Sequence, residues 1–120
     1  MSLKKTNAWK QFSQYVRQLE KGICFTCHKK KPWKEMDAGH FRHRSLFTFF
    51  LEIGVHCQCT YCNRFLHGNL GIYAVELDKK YGQGTAEKLI KESNKYRGAY
   101  TKKELKRIAE VYREKLKSLQ

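Results

Sequence analysis

Two cysteine pairs, Cys24-Phe-Thr-Cys27 and Cys59-Thr-Tyr-Cys62, carry the strongest chemical signal in the sequence. A C-x-x-C spacing turns two thiolates toward one point, and two such pairs supply the four sulfurs of a closed, tetrahedral structural Zn2+ site. Residues 28–58 separate the pairs, a longer interval than in ordinary zinc ribbons. It leaves room for a complete hairpin whose two ends the metal would join. A fifth thiol, Cys57, competes for the second pair, and the repeated spacing favours Cys59 and Cys62. The string Cys24-Phe-Thr-Cys27-His28 also spells a haem-attachment motif, but that reading leaves the second pair without a purpose. No βαβ pattern supports a thioredoxin-like role either. Structural zinc is the expectation, with a fold that depends on it.

Between the pairs lies Asp37-Ala-Gly-His-Phe-Arg-His-Arg44, and directly after the second comes Asn63. Hydrolysing a phosphodiester requires a base to deprotonate water, a cation for the departing oxygen and positive groups to hold the phosphate. His40 suits the first role near neutral pH. Asp37 and Asn63 offer hard oxygen donors for Mg2+ or Mn2+. Arg42 and Arg44 offer charge-assisted hydrogen bonds to phosphate oxygens. His28 and His67 have no comparable neighbourhood and read as structural. Residue types alone balance a catalyst against a DNA-binding zinc module.

Composition narrows the partner. A formal charge of +14 and an isoelectric point near 9.7 point to a polyanion. Lys29, Lys30 and Lys31 could meet successive phosphates, together with Lys79, Lys80, Lys88, Lys91, Lys95, Arg97, Lys102 and Lys103. The plainer alternative is a solvated helical face balanced by Glu76, Glu87, Glu92 and Glu104. With 41% hydrophobic residues in 120, the core is modest, and a metal staple would support it. The longest apolar stretch, Leu46 to Leu51, is interrupted by Thr48 and too short to span a bilayer. The start, Met1-Ser2-Leu3-Lys4-Lys5, has no apolar segment of the secretory kind, and five cysteines do not suit a disulfide framework. A cytoplasmic protein without membrane contact is expected.

The elements that must position these residues follow from periodicity. Trp9, Phe12, Val16 and Leu19 recur at helical spacing over residues 6–21, with Gly22 as the stop. A short strand is expected over Met36 to Arg42, with a partner over Phe47 to Val55 leading into the second cysteine pair. Helical character returns after Asn63, with Tyr73, Leu77 and Tyr81 on one face and Gly82 at the end. Thr85 caps a further helix that carries Leu89 and Ile90 and stops near Arg97-Gly98. Thr101-x-x-Glu104 is a capping box opening a last helix, with Leu105, Ile108, Ala109, Tyr112, Leu116 and Leu119 on one side. No repeat or linker divides the chain. It reads as one domain, 1–120, with an N-terminal helix (1–22), a zinc-clamped core (23–70) and a basic helical part (71–120).

The order C-x-x-C, histidine, C-x-x-C-Asn resembles the His-Me finger (HNH) nucleases of the phage endonuclease VII type. More closely, Ala38-Gly-His-Phe41, Val55-His56-x-Gln58-Cys59-x-x-Cys62-Asn63-Arg64, Gly68-Asn69, Tyr73 and Tyr81-Gly82 resemble the phage recombination endonucleases called NinG or Rap, over residues 22–84. The resemblance implies an α+β fold, a small zinc-stabilised ββα-metal finger flanked by N-terminal and C-terminal helices. It implies His40 as general base, Asn63 as catalytic metal ligand, and zinc on Cys24, Cys27, Cys59 and Cys62. The implied substrate is branched DNA such as Holliday junctions or D-loops, cut in the host bacterial cytoplasm. Arg64 joins Arg42, Arg44 and Lys29 to Lys31 as a phosphate contact. Two departures stand out. Gly39 occupies the place of an aspartate that binds the catalytic metal, which leaves Asp37 or His56 to complete the site. Gly54 stands where an asparagine ties the hairpin, a task Gln58 could take over. Two symmetric cuts call for a homodimer, with the terminal amphipathic helices as candidate interfaces unless they simply cover the monomer's core. The alternatives are an HNH enzyme nicking ordinary duplex DNA and a zinc module that binds junctions without cutting.

Overall fold

The computed structural model describes residues 2–120. The Thr6 hydroxyl accepts the Trp9 N–H at 3.2 Å and opens helix α1, Asn7–Leu19. Phe12 and Val16 of the expected stripe are buried, Trp9 is half-buried and Leu19 is exposed. Gly22, at φ 71°, returns its N–H to the Arg17 carbonyl at 3.2 Å. A Cβ there would lie 1.9 Å from the Lys31 carbonyl oxygen, so a side chain would block the chain's return past its own start.

Strands β1 (Asp37–His40) and β2 (Val55–Gln58) pair antiparallel, with Asp37 opposite Gln58, Ala38 opposite Cys57, Gly39 opposite His56 and His40 opposite Val55. The first strand lies inside its expected span. The second does not: pairing begins at Val55, where the expected partner strand would end. Phe47 to Leu51 forms turns, with the Thr48 N–H on the Ser45 hydroxyl at 3.1 Å, and a 3-10 turn covers Glu52–Gly54. The cause is packing. Phe49 and Phe50 both face Trp9, at 5.2 and 6.4 Å between ring centroids, whereas a strand would send adjacent side chains to opposite faces. The residues that do form β2, Val-His-Cys-Gln, are buried on both faces.

After β2 the chain makes a π-helical turn, Tyr61–Phe65, and then three helices: α2 (Leu70–Tyr81), α3 (Thr85–Ser93) and α4 (Lys102–Ser118). Asn63 therefore sits on a short turn of its own, ahead of the helix it was expected to open. Thr85 does not cap α3. Its hydroxyl turns back to the Gly82 carbonyl at 2.7 Å, and the Asp78 carboxylate takes the Ala86 N–H at 3.0 Å. That helix ends at Ser93, short of the expected Arg97-Gly98. The capping box on α4 forms as expected, with the Glu104 N–H on Thr101 Oγ1 at 3.1 Å and the Thr101 N–H on the Glu104 carboxylate at 2.9 Å.

α1 and α4 pack on one face of the hairpin around Phe12, Val16, Ala38, Val55 and Tyr112. Strand alternation turns His56 to the other face, where it meets Phe25, Tyr73 and Tyr81. Phe41, Tyr73, Leu77, Ala86 and Leu89 join α2 and α3 to the hairpin. The apolar faces of α1 and α4 thus meet each other and the sheet, and are not the free surfaces a dimer interface would need. Among the described residues, no helix is long and apolar enough to cross a membrane. Phe12 anchors this arrangement: it is fully buried, edge-on to Tyr112 at 4.8 Å and to Phe50 at 5.5 Å. Phe12→Ala is expected to cost about 3–5 kcal/mol, read as a lowered urea midpoint; a midpoint within experimental error of the parent would refute the packing role.

Candidate functional site

Cys24, Cys27, Cys59 and Cys62 come together with their ligand atoms all within 4.8 Å of one another. Each pair forms a knuckle. The Cys27 N–H points at Cys24 Sγ at 3.5 Å, and the Cys62 N–H at Cys59 Sγ at 3.4 Å. Burial pushes the Cys24 thiol up, but the Cys27 N–H, the Thr26 hydroxyl and the Cys59 and Thr26 N–H groups outweigh it and hold it down to about 6. In the same cluster burial pushes the Cys27 thiol up to about 12 and the Cys62 thiol up as well, so negative charge gathers on Cys24 first. Four soft sulfurs in a mostly buried cluster, with N–H donors aimed at them, fit a structural zinc ion. Cys57 lies outside the set. It is fully buried opposite Ala38, and burial pushes its thiol up to about 12.

His40 ends β1 on the α1 face, 4% exposed, and its ring stacks on Trp9 at 5.0 Å and 15°. Its Nε2–H donates to the Phe49 carbonyl at 3.0 Å, because a carbonyl can only accept. Nδ1 is the ring nitrogen left for the cleft. Burial lowers the imidazole to about 4, against the partial support of the Phe49 carbonyl, and the positive charges of Lys4 and His43 lower it further. The ring is neutral at physiological pH and can accept a proton. His40 and Asn63 line one cleft of about 320 Å³, together with Lys4, Ala38, His43, Arg64 and His67.

Asp37 also reaches Asn63. Its carboxylate accepts Asn63 Nδ2 at 3.0 Å and two Arg64 guanidinium donors at 3.0 Å each. His56 does not belong to the site. It is 2% exposed on the far face, with Nδ1 against the Glu20 carboxylate at 2.5 Å and Nε2 against the Ile53 carbonyl at 2.9 Å. Turned away from the cleft of His40 and Asn63, with both ring nitrogens engaged, His56 does not hold a metal there; with Glu20, which also takes the Cys57 N–H at 2.9 Å, it fastens α1 to β2.

The basic residues divide. Arg42 and Arg44 line a neighbouring cleft that shares His43 with the first, and Arg42 Nε is committed to Ser93 Oγ at 2.9 Å. Lys29, Lys30 and Lys31 are exposed beside the first knuckle and line neither cleft. Further on, Lys79, Lys91, Lys95 and Arg97 pair with Glu76, Glu87, Glu92 and Glu104, so the balanced helical face accounts for these four. The hairpin lacks an asparagine at Gly54 but is tied by Tyr73, whose hydroxyl donates to the Gly39 carbonyl at 2.7 Å, and by the Phe41 N–H on the Gly54 carbonyl at 2.9 Å. Sequence reasoning placed Tyr73 on a packing face and passed over Trp9, Lys4, His43 and His67 as parts of a site. Only the i+3 spacing of His40 and His43 hinted at a shared surface.

A family model of the bacteriophage lambda NinG protein matches residues 2–120. Protein NinG of Escherichia phage lambda is 34% identical over 127 residues, covering 99% of this chain and 61% of that protein. The NinG proteins of Escherichia phage 933W and Salmonella phage P22 are 33% and 32% identical, each over 99% of this chain and 62% and 61% of their own lengths. The chain thus spans 61% to 62% of the length of these relatives. No solved structure matches it. With nearly every residue inside the family match and a third of aligned positions identical to phage relatives, the chain belongs to the bacteriophage lambda NinG family.

Proposed function

We propose that the chain is a zinc-stabilised, metal-dependent endonuclease of the His-Me finger (HNH) type that acts on branched DNA. The observation that carries this reading is the cleft shared by His40 and Asn63, with the imidazole held through Nε2 so that Nδ1 is free to act. The order strand, strand, helical turn, with the base on β1 and the carboxamide after β2, is the order a ββα-metal finger needs.

In this reading His40 Nδ1 takes the proton of the attacking water. Its burial keeps it uncharged beforehand, and a phosphodiester entering the cleft adds negative charge that raises its basicity. Asn63 Oδ1 and the Asp37 carboxylate are the oxygen donors suited to Mg2+ or Mn2+, which when bound supplies positive charge to the departing 3′ oxygen. Lys4, Arg64, His43 and His67 hold the phosphate from the rim. Tyr61 and Phe65, 62% and 71% exposed, stack at 6.1 Å on the same turn as Asn63 and Arg64. Aromatic faces among cations suit the unstacked bases of a branch point better than the closed stack of linear duplex. Junction resolution calls for two active sites, so a homodimer is part of the reading, joined elsewhere than through the apolar faces of α1 and α4. One observation favours a second reading, a zinc module that binds junctions without cutting: Arg64 already neutralises Asp37.

Four-way and linear DNA, each incubated with Mg2+ or with EDTA, separate these readings. Metal-dependent cutting of the junction alone is expected; equal cutting of linear DNA indicates a duplex-nicking enzyme, and binding without cutting the second reading. His40→Ala is expected to slow cutting by about 10²- to 10⁴-fold with DNA affinity little changed, and unaltered turnover would sink the mechanism. For the clamp, metal analysis should give about one zinc per chain, lost together with the folded state in Cys24→Ser. A fully folded, zinc-free parent protein would overturn that assignment.

A further inference from the structure

We infer that Gln58 Oε1 and Asn63 Oδ1 together form the seat of a divalent cation over Gly39. This rests on the reading of Asn63 as a metal ligand and adds a ligand to it. Gln58 closes β2 and is 0% exposed. Its Nε2 donates to the Gly68 carbonyl at 2.9 Å and to the Thr26 hydroxyl at 3.2 Å. A carbonyl needs a donor, so the carboxamide has one sensible orientation, with Oε1 aimed the opposite way. That oxygen is buried and has no hydrogen-bond partner. A desolvated carbonyl oxygen without a donor is a liability that folded proteins seldom keep without a use.

Gly39 defines where it points. A Cβ at this position would lie 1.9 Å from Gln58 Oε1 and 2.9 Å from Asn63 Oδ1. Gln58 Oε1 thus fills the place of the missing side chain, and Asn63 Oδ1 approaches it from beside the same glycine. Neither can turn a donor into the gap. The Gln58 amide is held by Gly68 and Thr26, and the Asn63 amide donates to Asp37 Oδ2 at 3.0 Å. Facing oxygen dipoles repel unless positive charge lies between them, and the Asp37 carboxylate, paired with Arg64, holds the Asn63 amide turned away from the gap. Neutral and anionic oxygens with no nitrogen or sulfur among them select a hard cation of the Mg2+ or Mn2+ class. Asn63, which also lines the His40 cleft, links the seat to it, and Gln58 supplies the ligand that His56 does not.

The test uses the zinc-loaded full chain with Mg2+ as the probe. In the labelled wild-type protein, the side-chain carbonyl carbons of Gln58 and Asn63 are expected to shift together along one saturation curve as Mg2+ is added, while that of Gln120 stays still. Asn63 shifting alone, or neither shifting, overturns the seat. Gly39→Ala, which evicts Oε1, is expected to weaken Mn2+ affinity about tenfold or more with zinc content unchanged; unchanged Mn2+ affinity in folded protein also overturns it. Junction cutting is scored separately. Cutting without a Gln58 shift removes the seat and leaves the nuclease, whereas a joint shift without cutting leaves the seat and removes the nuclease.

Discussion

Two strands of four residues each cannot hold together in water, and everything else in this chain answers that constraint. The hairpin is closed at one end by the cysteine cluster, which gathers both knuckles and Met36 around β2. α1 and α4 cover the face that carries Ala38 and Val55, while Phe25, Tyr73 and α2 take the face that carries His56. Each support also fixes a functional group. The turn that follows β2 holds Cys62 and Asn63 side by side, so the cysteine cluster sets the position of the carboxamide. Trp9 of α1 stacks on His40, so the packing helix orients the imidazole.

The site and the clamp follow opposite electrostatic logic. The cysteine cluster aims N–H and hydroxyl donors at Cys24 and stabilises negative charge there in a closed space. The cleft surrounds a neutral imidazole with Lys4, His43 and Arg64 and withholds a proton from it. The first arrangement suits a resident cation, the second a visiting anion. Part of the helical positive charge is matched by neighbouring glutamates, whose exposed pairs contribute little to stability.

Hairpin anchoring shows how one residue substitutes for another's task. Gly54 offers no side chain, yet its carbonyl accepts the Phe41 N–H, and the Tyr73 phenol crosses from α2 to the Gly39 carbonyl. Gly39 in turn admits the Gln58 carboxamide into the space an aspartate side chain would fill. At Gly39 a neighbouring side chain thus occupies the vacated volume, whereas at Gly54 backbone hydrogen bonding holds the hairpin instead.

The sequence by itself determined what is local or chemical. The cysteine spacings, a helix between Thr6 and Gly22, β1 and the capping box at Thr101 were legible because each depends on residue type and short-range geometry, while the grouping of His40 with Asn63 came from residue types and the family resemblance. The resemblance read on residues 22–84 lies within a family match that runs from 2 to 120. Tertiary structure decided the rest. It turned the aromatic run at Phe47 to Leu51 into a bend, since both phenylalanines had to face Trp9. It sent His56 to the opposite face from His40, since strand register places Gly39 across from it and Glu20 was waiting there. It made the terminal helices partners of each other, and it left Gln58 Oε1 beside Asn63. Long-range packing chooses among faces that the sequence leaves equivalent, and no spacing rule reaches from Trp9 to Phe49, Glu20 to His56 or Phe12 to Tyr112.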